Sequence, residues 1–163
     1  MSAKKTEFND LNAYWLVGFV DGEGCFSVSF NRKPSMVLGI EARPSFSVSQ
    51  KSHSYEVLES IQNYLGCGGI RFSKSDGTYK FEVRSLAQLR ANVLPFFLTY
   101  RLLTNKRHDF EKFEEVCDLI AGGQHLNVAG LSKIVELAYA MNGSGKRKYS
   151  KEELLKFFNK LKL

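Results

Sequence analysis

Two acids, Asp21 and Glu23, stand between glycines at the end of an apolar run, Trp15-Leu16-Val17-Gly18-Phe19-Val20-Asp21-Gly22-Glu23-Gly24. The run reads as a helix, so both acids fall in its last turn, where carbonyls are unpaired and the macrodipole is negative. Acids are disfavoured there unless something positive joins them. A carboxylate beside free carbonyls makes a good site for a hard divalent cation, which takes oxygen ligands. Two residues apart, the acids diverge around the helix axis and cannot both serve one site. One is expected to cap or brace a helix contact, while the other points out at the helix end. Gly18 and Gly22 are four apart, share one face, and would let a second helix approach closely. Gly24 is expected to close the helix in a left-handed conformation.

The elements that must position these acids follow in chain order. Residues 1–8 are polar, and Asn9 or Asp10 can cap the first helix, which runs to about Glu23. From Cys25 to Lys33 the chain alternates, with Phe26, Val28 and Phe30 on one side and Ser27, Ser29, Asn31 and Arg32 or Lys33 towards the other. A second strand is expected from about Leu38 to Gln50, with Ile40, Ala42, Pro44, Phe46 and Val48 inward. Pro44 suggests an edge or a bulge there. Ser54 starts a helix with the stripe Leu58, Ile61, Leu65, stopped by Gly66. Two strands follow around the turn Ser75-Asp76-Gly77, the first with Ile70 and Phe72 inward and the second with Tyr79, Phe81 and Val83 inward. Ser85 and Gln88 read as a capping box opening a helix towards Pro95.

Three further helices are expected. One, from about Thr104, carries Phe110, Phe113, Cys117 and Ile120; one spans Val128 to Met141; and one, capped by Ser150, carries Leu154, Phe157, Phe158 and Leu161. The plan is α+β, αββαββα with a four-stranded antiparallel sheet and C-terminal helices. It forms a single domain over 1–163, with a core over 9–121 and a helical extension over 122–163.

Composition narrows the function classes. The chain of 163 residues carries a net charge of +6, which favours a polyanionic partner without identifying one. No apolar run is long enough for a membrane span, and the polar start is not a signal peptide. Cys25, Cys67 and Cys117 lack C-x-x-C spacing and read as reduced thiols of an intracellular protein, not as a disulfide framework or zinc site.

On Gly18, Asp21, Gly22, Glu23 and Gly24, the first helix resembles the signature helix of the LAGLIDADG homing endonucleases. The order of elements to about residue 121 is also the order that family uses. The resemblance implies a site-specific, double-strand DNA endonuclease that hydrolyses phosphodiester bonds with Mg2+, a cation that Ca2+ or Mn2+ can replace in a crystal. It assigns Glu23 as metal ligand, with the Gly22 carbonyl as a second. It assigns Gln50 to the orientation of active-site water, and Lys106, at a helix start, to stabilising charge on phosphate oxygens. Members often carry a basic residue just after this glutamine; Ser54 takes that place here, with Lys51 or His53 as substitutes. Asp21 is implied to pack between two signature helices.

One signature helix gives one Glu23 per chain, and cutting both strands needs two. The expected functional unit is therefore a homodimer joined through Trp15, Gly18, Asp21 and Gly22, acting on a long pseudo-palindromic target. Base reading is expected from the outward strand positions Ser27, Ser29, Asn31, Lys33, Glu41, Arg43, Ser45, Ser47, Arg71, Ser73, Lys80 and Glu82. Lys146, Arg147 and Lys148 head a tail that also holds Lys151, Lys156, Lys160 and Lys162. These cations read as phosphate contacts that position without specifying. The partners are duplex DNA and a second copy, with no membrane and no small-molecule substrate. The resemblance further implies short 3′ overhangs and an intron-borne gene, in an organelle (mitochondrion or chloroplast) or the bacterial cytoplasm. Two rivals on the same fold are an intron RNA maturase and a non-catalytic DNA-binding protein.

Overall fold

The structure, a computed structural model, describes residues 12–143 and 145–160. The expected cap at Asn9 or Asp10, the loose start at residues 1–8, and Leu161 and Lys162 lie outside them. In order, the elements are α1 (Ala13–Glu23), β1 (Gly24–Arg32), β2 (Ile40–Gln50), α2 (Tyr55–Leu65), β3 (Gly69–Ser73), β4 (Thr78–Val83), α3 (Leu86–Gln88), α4 (Leu94–Thr99), α5 (Lys106–Ala121), α6 (Val128–Tyr139) and α7 (Lys151–Lys160). The strands make one antiparallel sheet in the order β1-β2-β4-β3. By contacts the chain divides into two units. One holds residues up to Cys25 with Phe46–Thr104, and the other holds Phe26–Ser45 with the chain from Asn105 onward.

In the first unit, α1 buries Leu16, Val17 and Val20, and its described start is capped by Asn12, whose side chain accepts from the Tyr14 N–H. Gly24 does not end the helix in a left-handed conformation. Its φ of −78° and ψ of 158° are extended, and it is the first residue of β1. Glycine is required by crowding, since a Cβ there would lie 2.5 Å from Val20 Cγ1. The core is Leu16 and Val20 with Phe46, Val48, Leu58, Ile61, Phe81, Val83, Leu89, Val93 and Phe97, all fully buried. Each such side chain contributes about 1.5–3 kcal/mol relative to exposure.

The α2 stripe Leu58, Ile61, Leu65 is buried, and Gly66 closes that helix at φ +65°. Gly68 follows at φ +77°, so close to the Glu82 carbonyl that an added Cβ would meet it at 2.8 Å. Its N–H donates to the Gln88 side chain at 3.3 Å. Ser85 accepts from the Gln88 N–H as expected, but Gln88 does not reciprocate, so the capping box is half formed. The helix does not stop at Pro95. A π-helical turn, Leu89–Val93, joins α3 to α4. Proline lacks an N–H and crowds the carbonyl four residues back, and the wider turn accommodates both.

The second unit packs Phe26, Val28 and Phe30 of β1 and Ile40 of β2 with Phe110, Phe113, Val116 and Cys117 of α5. Leu131, Ile134, Val135 and Ala138 of α6, and Leu154 and Phe158 of α7, complete its core. Ser150 and Glu153 form a full capping box before α7, each side chain accepting the other's backbone N–H. The strand β1 is terminal in the sheet order, and Asn142 Nδ2 and Arg147 Nη1 donate to its Phe26 and Val28 carbonyls.

Three expectations on the strands need correction. Phe72 is not inward but 51 % exposed, because β3 is the other terminal strand; its ring packs at a tilt against Tyr79. Ser45 and Ser47, expected on an open face, are 8 % and 4 % exposed. Ser47 stands opposite Glu82 in the β2–β4 ladder. β2 is not an edge strand, but Pro44 lies beyond its ladder with β4, whose paired residues are Phe46–Gln50, so the missing N–H costs no bond to that strand.

Candidate functional site

The two acids at the end of α1 have separate environments. Asp21 accepts from the Leu103 N–H at 2.8 Å, the Thr104 N–H at 3.3 Å and the Thr104 hydroxyl at 2.8 Å. Both oxygens are engaged, and the carboxylate fixes the turn that enters α5 within the same protomer. The positive group that an acid at a helix end needs is here a pair of backbone N–H dipoles. Glu23 is exposed and makes no hydrogen bond or ion pair with any described residue. Beside it Gly22 is exposed, and neither Gly18 nor Gly22 has an atom within 4 Å of where a Cβ would stand. Trp15 is 40 % exposed and stacks on Phe19 with ring centroids 4.8 Å apart. The α1 face carrying Trp15, Gly18 and Gly22 is thus uncovered by the other described residues.

Among the described residues no three His, Cys, Asp or Glu side chains group closely enough to hold a metal ion. At the end of α1 the described residues place an exposed carboxylate, Glu23, next to the exposed backbone of Gly22. That donor set suits a hard cation, provided other oxygens come from outside the protomer. Gln50 is the half-buried last residue of β2, opposite Tyr79 in the ladder, and belongs to the same unit as Glu23. Lys106 is the first residue of α5, where Asn105 provides no side-chain cap, and opens the second unit. Two residues earlier, Thr104 is in the grip of Asp21. Of the residues beyond Gln50, Lys51 and His53 are exposed and Ser54 is half-buried.

The strand cations are organised around two acids. In the second unit Glu41 holds Lys33 at 2.7 Å and Arg43 at 2.9 Å. In the first unit Glu82, its side chain 8 % exposed, gathers Arg71 at 3.3 Å, Lys80 at 3.5 Å and Arg84 at 3.0 Å. Each group keeps a net positive charge while each guanidinium is aimed by a carboxylate. Arg84 was absent from the expected reading set. It continues the alternation of Lys80 and Glu82 one step past β4, a signal that was legible in the sequence. Ser27 and Asn31 are half-buried and Ser29 exposed on β1. Ser73 serves the β3–β4 turn, bonding Ser75 at 3.1 Å. Hydrogen bonds from Thr78 and Ser73 hold the Asp76 carboxyl below the usual range.

In the tail, Lys146 and Lys148 are exposed, but Arg147 does not fit a phosphate contact. Its guanidinium donates to the Val28, Ala138 and Met141 carbonyls and lies 4.4 Å from the Tyr139 ring centroid. A fork with three carbonyl acceptors is a structural clamp.

The model of the LAGLIDADG endonuclease family matches residues 16–117, and the chain belongs to that family. A Neurospora crassa protein described as a probable intron-encoded endonuclease is 31% identical over 123 residues, covering 76% of this chain and 26% of that protein. The chain spans about a quarter of the length of the first curated relatives it matches. Among solved structures, the archaeal intron-encoded homing endonuclease I-Vdi141I in complex with DNA aligns with a TM-score of 0.84 and 31% identity, over 94% of this chain and 98% of that one. I-SmaMI, bound to an uncleaved DNA target in the presence of calcium ions, aligns with a TM-score of 0.81 and 33% identity, over 91% of this chain and 49% of that one. One fold unit of this size therefore fills a whole chain in the first case and half a chain in the second.

Proposed function

We propose that this protein is a homodimeric, divalent-metal-dependent, site-specific endonuclease for double-stranded DNA. The observation that carries the proposal is Glu23: an exposed carboxylate at the end of a glycine-notched helix, without a partner among the described residues while its neighbour Asp21 is fully bonded. Such a group is available to a ligand. Family membership and DNA-bound solved relatives support phosphodiester hydrolysis as its role.

Glu23, with the Gly22 carbonyl, would hold Mg2+, which supplies charge relief at the phosphate oxygens when bound. Gln50 orients the attacking water through its amide. Lys106 sets its ammonium beside the phosphate and stabilises negative charge as the bond to the leaving oxygen breaks.

Two copies meet through the open α1 faces, with Trp15, Gly18 and Gly22 at the contact, because one chain supplies only one such acid. The half-length match to I-SmaMI supports a unit of two domains. Each sheet then reads one half-site of a pseudo-palindromic target, and cutting leaves short 3′ overhangs. Arg43, Arg71, Lys80 and Arg84 face guanine edges or phosphates, with Ser27, Ser29, Asn31 and Lys33 along the hairpin. An intron-borne gene agrees with the description of the Neurospora relative. No helix among the described residues is long and apolar enough to cross a membrane.

The test is incubation with plasmids carrying candidate intron-insertion sequences, with Mg2+ or with chelator. Linearisation that requires Mg2+ and vanishes in Glu23→Gln, from a protein sedimenting as two chains, supports the proposal. Tight duplex binding with no cutting under any divalent cation defeats the enzymatic part, and a monomer on DNA defeats the dimer.

A further inference from the structure

The end of β1 carries a feature that the base-reading assignment does not use. Arg32 has the parity of Phe26, Val28 and Phe30, so it belongs to the core side of the strand and not to the side of Ser27, Ser29 and Asn31. Beyond the end of that core it meets α7. Its guanidinium carbon lies 5.9 Å from the Tyr149 ring centroid and 5.7 Å from that of Phe157. These residues line a cavity of about 310 Å³ with Ile40, Glu153, Leu154, Lys156 and Lys160.

The charge in this cup is unbalanced. Arg32, Lys156 and Lys160 contribute three cations against Glu153, whose carboxylate already accepts the Ser150 N–H at 2.6 Å. Among the described residues no carboxylate lies within ion-pair distance of these three cations, whereas Lys33, Arg43, Arg71, Lys80 and Arg84 are all paired. The rings hold the guanidinium in place through its face, which leaves its N–H edge for an acceptor. Lys156 and Lys160 are four apart on one face of α7, so with Arg32 they form a track and not a point.

We infer that this cup binds backbone phosphodiester groups of a nucleic acid, on the side of β1 opposite its base-reading residues. The ligand is a polyanion because the cations form a row, and phosphate because the rings are occupied in holding Arg32 and are not free to stack a base. The contact is independent of sequence and can be made while the reading side is filled. The inference rests on the nucleic-acid-binding reading above. The phosphates come either from duplex DNA flanking the target or from an RNA strand.

The test follows the Arg32 Nε–H resonance by NMR in the full chain, assigned by its loss in Arg32→Lys. It is titrated with a DNA duplex of unrelated sequence, an RNA duplex, and a mononucleotide. A shift with either polymer that weakens with salt, and that is at least tenfold weaker in Lys156→Glu/Lys160→Glu, supports the inference; the better polymer names the source. A mononucleotide that matches the polymers overturns it in favour of a small-ligand pocket. An Arg32 signal unmoved by any polymer, in a preparation that still cleaves its plasmid, overturns it and leaves the endonuclease reading intact. A polymer-dependent shift in a protein that cleaves nothing sustains the cup and counts against the nuclease.

Discussion

Asp21 and Glu23 share a helix turn, a charge and a setting among glycines, yet the fold uses them in opposite ways. Asp21 is closed off by three donors from the turn before α5, and Glu23 meets no described partner. Arg147 and Lys148 repeat the contrast with the opposite charge. Arg147 ties the Val28, Ala138 and Met141 carbonyls together, while Lys148 is exposed, its ammonium 5.3 Å from the Tyr149 ring centroid. In both pairs the inward member belongs to folding and the outward member is free for a ligand. Charge type does not separate such neighbours; burial and hydrogen-bond accounting do.

The contrast is broken most easily at Arg147. Arg147→Ala removes a donor from three carbonyls, of which Ala138 keeps the Met141 N–H, and removes the contact with Tyr139. The expected loss is about 3 kcal/mol in urea denaturation, against less than about 0.5 kcal/mol for Lys148→Ala. Equal effects would erase the distinction. The acids give the next largest effect. Asp21→Ala is expected to cost about 1.5 kcal/mol through the unsatisfied Leu103 and Thr104 N–H groups, while Glu23→Ala stays within about 0.5 kcal/mol of wild type. A stability loss at Glu23 equal to that at Asp21 would mean that Glu23 is also structural.

Periodicity carried most of the fold. The stripes of α2, α5, α6 and α7 and the alternation of β1 and β4 could be read because helix and strand burial repeat at 3.6 and 2 residues. Periodicity does not report depth across a sheet, which is why Ser45 and Ser47 were assigned to an open face and are buried. Nor does it reveal terminal strands, which is why Phe72 was placed inward. Gly24 was correctly marked as special for the wrong reason, because composition signals a glycine without saying whether dihedral angle or crowding demands it. At the site, the motif spacing located the tip of α1. The division of labour between Asp21 and Glu23 depends on Thr104, more than eighty positions away in sequence, and no local pattern carries that. Arg147 was lost in a run of basic residues for the same reason: its acceptors belong to β1 and α6.

The strand cations sharpen the comparison, since they are held and outward at once. Glu82 is nearly buried and aims three cations whose own exposure runs from 28 % to 57 %. Glu82→Gln leaves Arg71, Lys80 and Arg84 repelling one another. The expected cost is about 1 kcal/mol at low salt, discounted for the solvent around the cations, and it shrinks as salt screens the repulsion. Non-specific DNA binding should tighten in the same variant. A cost that is independent of salt would show that Glu82 acts through packing and not through charge.

The smallest effect is the one whose sign is most informative. Glu114 on α5 has its carboxyl raised above the usual range, by burial first and then by repulsion from Asp118 and Glu111. A raised carboxyl favours the neutral form in the folded state. Its contribution is therefore fully present below the unfolded value and is lost as pH rises through the folded one. At neutral pH the wild type carries this penalty, and Glu114→Gln removes it. The variant should gain at most about 0.5 kcal/mol at pH 7, since the group is largely solvent-screened. The gain should fade to nothing towards pH 3, where wild type and variant are both uncharged at this position. Urea midpoints measured at those two pH values test the sign. A variant less stable than wild type at pH 7 would place Glu114 with Asp21, as an acid held by donors, and not with the outward-facing groups.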